Sequence, residues 1–199
     1  MVVQRNMGTA QILPRILIMV WICVAFLLSG CGGNLPISAP HLTAEEKALL
    51  RRYGRSEERV VRWPDGNIDV YDTTGQRELV QAALDHWNAV IGGPVMFRLS
   101  DNPEAPVKIN LIDSPYAART QLCIDSSSQI YGATVEISLR HSQNPEIYVI
   151  TIADVTGLNT LAISEDYGYI DFEEPAIRDL ARRVLRAMYR VPPGYPLED

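Results

Sequence analysis

The sequence predicts an α/β (α+β) domain: a mixed sheet with an N-terminal helix packed on it and two C-terminal helices. Three observations carry this. Apolar and polar residues alternate around Ile68 and Val70 and again at Val107, Ile109 and Leu111, the period of a strand buried on one face. Leu79, Val80, Ala83, Leu84, Trp87, Val90 and Ile91 recur at helical spacing. Ile177, Leu180, Ala181, Val184, Leu185 and Met188 do the same near the C-terminus. Strands alternating with one-faced helices pack into two or three layers.

Taken in order, Thr43-Ala-Glu-Glu46 is a capping box that opens a short helix to about Tyr53, with Gly54 as its stop. This helix is grouped with the small, polar, proline-containing stretch 32–42 as a tether region, 31–57, and the folded domain is taken as 58–199. Val60, Val61 and Trp63 precede the turn Pro64-Asp65-Gly66, and a strand runs to Tyr71. Thr73 or Thr74 caps the first long helix and Gly92-Gly93 ends it. Strands follow at Val95–Leu99 and Val107–Ile112. Residues 114–132 are polar and irregular, with a short strand near Leu122–Ile124. Ala133 to Leu139 alternates as a further strand, with Ala133, Val135, Ile137 and Leu139 on one face.

The next segment is open between two forms. Glu146 to Val155 is rich in β-branched residues, which favour a strand. Asn144-Pro145 is a helix start, and Ile147, Ile150, Asp154, Leu158 and Leu161 share helical spacing. The last helix begins near Pro175, and its arginines 178, 182, 183, 186 and 190 read as a solvated face.

The N-terminus carries different information. Arg5 and Arg15 are the only charges in residues 1–30, and Ile16 to Leu28 is an uncharged apolar run. Spanning a bilayer takes about 20 apolar residues, so this shorter run suits the core of a signal peptide. It ends in Leu28-Ser29-Gly30-Cys31, which resembles the lipobox of bacterial lipoproteins. That resemblance implies cleavage before Cys31, lipid on its thiol and anchoring to a bacterial cell-envelope membrane. Gly32 rather than an aspartate implies the outer membrane, facing the periplasm, in a diderm cell. Two or more acyl chains anchor stably where one does not. Loss of Arg5 and Arg15 would take the net charge from −6 to −8, which disfavours nucleic acid as a partner. Cys23 would leave with the signal, so Cys123 would have no disulfide partner and reads as a small buried apolar residue.

Arg62-Trp63-Pro64, Ile68-Asp-Val70, the helix holding Ala83 and Trp87, Val95-Met-Phe97 and Val107-Lys-Ile109 together resemble, in their order, a metzincin zinc peptidase of the matrixin type. The likeness runs from about residue 60 to residue 190. In that family the strand resembling Ala133–Leu139 precedes a helix bearing H-E-x-x-H-x-x-G-x-x-H. Histidines one turn apart face one metal, and the glutamate serves the metal-bound water as general base. With Gly157 on the family glycine, Ile150 and Asp154 stand at the first two histidines, Thr151 at the glutamate and Thr160 at the third histidine. The resemblance therefore implies a catalytically inactive, metzincin-like domain. Catalytic zinc takes three protein ligands, and Asp154 alone is no such set, so no cofactor is expected. The family holds peptide against a sheet edge, which implies a peptide or protein ligand along Ala133, Val135, Ile137 and Leu139.

The residues leave two other readings. One is an active hydrolase in which Asp154, His141 and an acid from residues 165–174 converge. The other is a structural envelope lipoprotein of unrelated α+β fold, which a strand at 147–155 would favour. His86 and His141 lack a second histidine at ligand spacing and read as hydrogen-bonded structural residues.

Overall fold

The computed structural model describes residues 41–198. The expected lipidation site Cys31, the expected signal segment 1–30 and the expected tether up to residue 40 lie outside the described residues. Among the described residues, five α-helices and five strands run in the order α1 (Ala44–Tyr53), β1 (Gly66–Asp72), α2 (Arg77–Ile91), β2 (Val95–Ser100), β3 (Val107–Ile112), β4 (Ala118–Ile124), β5 (Ile130–Ser138), α3 (Pro145–Val155), α4 (Thr160–Tyr167) and α5 (Pro175–Arg190). The mixed α+β class expected from the alternating periods is the one observed. The C-terminal region holds three helices rather than two.

The strands form one sheet in the order β2-β1-β3-β5-β4. β1 runs parallel to β2 and β3, β3 runs parallel to β5, and β4 is antiparallel to β5. Parallel neighbours need a crossover, and α2 supplies it between β1 and β2. Ile68, Val70, Val95, Phe97, Val107, Ile109, Ala133, Val135 and Ile137 are buried on one face, where the helices lie. The alternate residues stay partly exposed and carry cross-strand ion pairs, Arg98 to Asp69 at 2.6 Å and Arg119 to Glu136 at 3.6 Å. The arrangement is two-layered.

Two boundaries differ from the sequence reading. Helix α1 is not part of a tether. It packs on α5 and α4, buries Leu50, and belongs to the same compact unit as the sheet. Arg183 reaches Glu45, and Arg190 reaches Glu46 at 2.6 Å, so two of the α5 arginines clamp α1 instead of facing only solvent. Helix α2 starts at Arg77 with Gln76 as its N-cap. Thr74 instead bonds the Gln76 N–H at 3.0 Å, a local turn that delays the helix. The capping box of α1 is as expected, with Thr43 Oγ1 accepting from the Glu46 N–H and the Glu46 carboxylate accepting from the Thr43 N–H. Thr43→Ala is expected to lower stability by about 1 kcal/mol. A shift in urea midpoint with faster amide exchange in α1 would record it.

Residues 145–155 are helical, so the strand alternative is overturned. Asn144 accepts from the Glu146 N–H at 3.0 Å and Pro145 stands at the first turn. Both faces of this helix are covered along much of its length, so β-branched Val and Ile pack without the solvent exposure that would disfavour them. Trp87 Nε1–H donates to the Val149 carbonyl at 2.8 Å and ties α3 to α2.

The C-terminal end of α3 is a packing hub. Trp63, 1% exposed, donates its indole N–H to the Val155 carbonyl at 2.7 Å. Tyr189 donates its hydroxyl to the Thr156 carbonyl at 2.8 Å, and burial pushes the Tyr189 phenol well above its ordinary range. The Arg62 guanidinium lies 5.5 Å from the Tyr189 ring and donates to the carbonyls of Val191 and Trp63, both at 2.7 Å. Gly157 turns the chain at φ +100° between Val61 and Met188.

Candidate functional site

The four positions picked out by the resemblance come together. Ile150, Thr151, Asp154 and Thr160 line a cleft of about 230 Å³ with Ala118 and Thr120 of β4. Helix α3 forms one wall and β4 the other, because α3 packs over the β4–β5 end of the sheet. Thr120 Oγ1 comes within 3.5 Å of the Thr151 carbonyl.

Each position is chemically occupied. Thr151 is buried and donates its hydroxyl to the Ile147 carbonyl one turn back at 2.8 Å, so it offers no base to an incoming water. Thr160 donates to Asp154 Oδ1 at 2.8 Å through its hydroxyl. Arg55, two residues past α1, forms an ion pair with the same Oδ1, with side chains only 25% and 19% exposed. Burial pushes the Asp154 carboxyl above the usual aspartate range, and Arg55 and Thr160 hold it back. The positive charge facing Asp154 is thus a guanidinium from the same chain.

Arg55 is delivered there by local geometry. The Tyr53 carbonyl accepts from the Asn159 N–H at 2.8 Å, and the Tyr53 hydroxyl donates to Asp166 at 2.8 Å. Arg52 also donates to Asp166 at 3.0 Å, and these bonds, Arg52's foremost, hold that carboxyl down to about 2. Gly54 completes the turn, where a Cβ would lie 2.5 Å from the Leu50 carbonyl oxygen.

This donor set does not fit a catalytic zinc. Ile150 has no ligand atom, both threonines spend their hydroxyls inside the fold, and the one carboxylate is already paired. Among the described residues no three His, Cys, Asp or Glu side chains cluster at metal-binding distance. His141 sits in the single turn Leu139–His141 after β5. Among the described residues, His141, Asp154 and an acid from 165–174 form no metal-binding group.

His86 packs edge-on to Trp87 with centroids 5.0 Å apart, its Nε2 buried without a hydrogen-bond partner. It is a packing residue rather than a hydrogen-bonded one, and burial lowers its pKa.

The expected binding edge is corrected. β5, with Ala133, Val135 and Ile137, is an interior strand between β3 and β4, and Leu139 lies beyond its end. The terminal strands are β2 and β4, and β4 is the one that lines the cleft with α3. Its sequence ARTQLCI falls in the stretch read as irregular, and it pairs with β5 from Ala118↔Ile137 to Ile124↔Ile130 with an irregularity at Cys123/Ile124. Cys123 is half-buried there, not a core residue. Sequence reasoning missed both β4 as the edge and Arg55. The weak apolar alternation of Leu122 and Ile124 marks a strand; nothing local marks Arg55.

No family model, curated protein or solved structure matches this chain.

Proposed function

We propose that the chain is a lipid-anchored envelope protein whose domain keeps a metzincin-like arrangement without its catalysis. In this reading it holds a peptide or protein partner in the cleft between α3 and β4. The observation that carries it is the convergence of Ile150, Thr151, Asp154 and Thr160 beside an unpaired sheet edge, with an Arg55–Asp154–Thr160 cluster where a metal and its ligands would stand.

The edge supports a mode of binding. β4 presents backbone donors and acceptors on the side away from β5, and an extended segment can add to them as a further strand. Main-chain hydrogen bonds would supply affinity and the cleft would select a side chain. Neither needs a metal.

Metal analysis of the purified protein with a casein-cleavage assay, alongside binding of an extended-peptide library, checks this. The expected result is substoichiometric zinc, no cleavage, and bound peptides that lose affinity when their backbone amides are N-methylated. Stoichiometric zinc together with cleavage refutes the inactive domain. Binding indifferent to N-methylation refutes strand addition.

A further inference from the structure

Ile150 lines two hollows. A second cavity of about 190 Å³, adjoining the first through Ile150, lies between the first turns of α3 and the segment Ile170–Glu173. Its walls are mainly apolar, from Val149, Ile150, Ile170 and Phe172. They are held as one body. Trp87 bonds the Val149 carbonyl on one wall, and its ring meets Phe172 of the other edge-on at 4.7 Å.

The mouth of this cavity carries Glu146, Asp171 and Glu173, all exposed. Among the described residues, none of the three forms an ion pair. Burial disfavours the cationic form of His86, on which Glu173 and Arg178 both act electrostatically, and among the described residues Arg178 forms no ion pair with Glu173. Asp171 accepts from the Glu173 N–H at 2.8 Å. An apolar hollow ringed by three exposed carboxylates without an ion-pair partner matches one kind of occupant: an apolar side chain with cations on either side. Water serves the carboxylates in the free protein, and a ligand's ammonium or guanidinium groups would meet them at little desolvation because the rim is exposed.

We infer that the cleft selects an extended peptide segment bearing a large apolar residue flanked by basic residues, the apolar side chain entering the cavity below Ile150 and the cations meeting Glu146, Asp171 and Glu173. This rests on the reading of the cleft as a peptide site. It adds a charge rule that strand addition alone does not contain.

The experiment uses four fluorescent octapeptides and the full chain. One has a central leucine between lysines, the second replaces the lysines by glutamates, the third by glutamines, and the fourth keeps the lysines but replaces leucine by serine. The lysine–leucine peptide should bind roughly tenfold tighter than the glutamate peptide, with the glutamine peptide between, because several exposed attractions and repulsions of modest size add. That order should flatten in high salt and in the Glu146→Gln/Asp171→Asn/Glu173→Gln variant, whose exposed sites leave folding intact by circular dichroism. The serine peptide should also fall at least several-fold. Equal binding of all three leucine peptides overturns the charge rule and leaves the peptide cleft standing. Equal binding of the serine and leucine peptides overturns the apolar anchor. Failure of every peptide overturns both this inference and the cleft reading beneath it.

Discussion

Replacing Gly157 by alanine will lower stability by roughly 2–5 kcal/mol, from backbone strain of about 1–3 kcal/mol and overpacking of similar size. The residue adopts φ +100°, which L side chains rarely do. A Cβ there would lie 3.1 Å from the Val61 carbonyl oxygen and 3.1 Å from Met188 Sδ. The carbonyl belongs to the chain beside Trp63, and Met188 is buried, so neither yields freely. At about 2–4 °C per kcal/mol for a chain of this size, the melting temperature should drop by roughly 4–20 °C. Gly168→Ala is the control. Gly168 also has positive φ, +77°, but nothing lies within 4 Å of its added Cβ, so only strain of about 1–2 kcal/mol applies. Equal drops in the two variants would show that the close approach at Gly157 contributes nothing.

The second large effect lies at Arg55. Arg55→Met keeps an unbranched apolar stem and removes the cation facing Asp154, leaving a carboxylate four-fifths buried with only Thr160 to bond it. Breaking a partly buried pair from one side should cost roughly 2–4 kcal/mol at pH 8. The pH dependence follows from the direction of the shift. The folded-state pKa of Asp154 already lies above its ordinary 3.8. The folded chain therefore holds this proton more tightly than the unfolded chain, and stability falls as pH rises from the ordinary aspartate range through the folded value. Without Arg55 the folded value rises further and the window of loss extends toward neutrality. Urea melts from pH 5 to pH 8 should show the Arg55→Met deficit growing with pH. Arg55→Met/Asp154→Asn should lack this growing deficit relative to the parent chain and be more stable than the single variant at pH 8. A deficit independent of pH would mean that Arg55 acts through packing alone.

The sequence made the framework readable where period and punctuation agreed. The helix at 79–91, the capping box at Thr43 and the helix after Pro175 all combine an apolar stripe with a start or stop residue, and each stands close to where it was expected. Two features were hidden for physical reasons. β4 is an edge strand exposed along one side, so its residues face water as often as core and no clean alternation survives. Its pairing partner also decides which strand ends the sheet, and that order is a long-range property. Arg55 and Asp154 lie 99 residues apart, and their pairing depends on α1 folding back onto the helices. The positions 150, 151, 154 and 160 are implied by the metzincin resemblance once Gly157 is laid on its motif glycine, and that motif is local in sequence.

The clamped end of α3 has a further meaning for recognition. Trp63, Tyr189 and Trp87 each bond a carbonyl within or just past this helix, so under the proposed peptide-binding function the floor of the cleft is set before any encounter. Such preorganisation moves the entropic burden of association onto the incoming chain, which must surrender its own freedom against a surface that surrenders almost none. Under the proposed function, a partner that is already extended, or stiffened by its neighbours in sequence, would therefore gain most from binding this cleft.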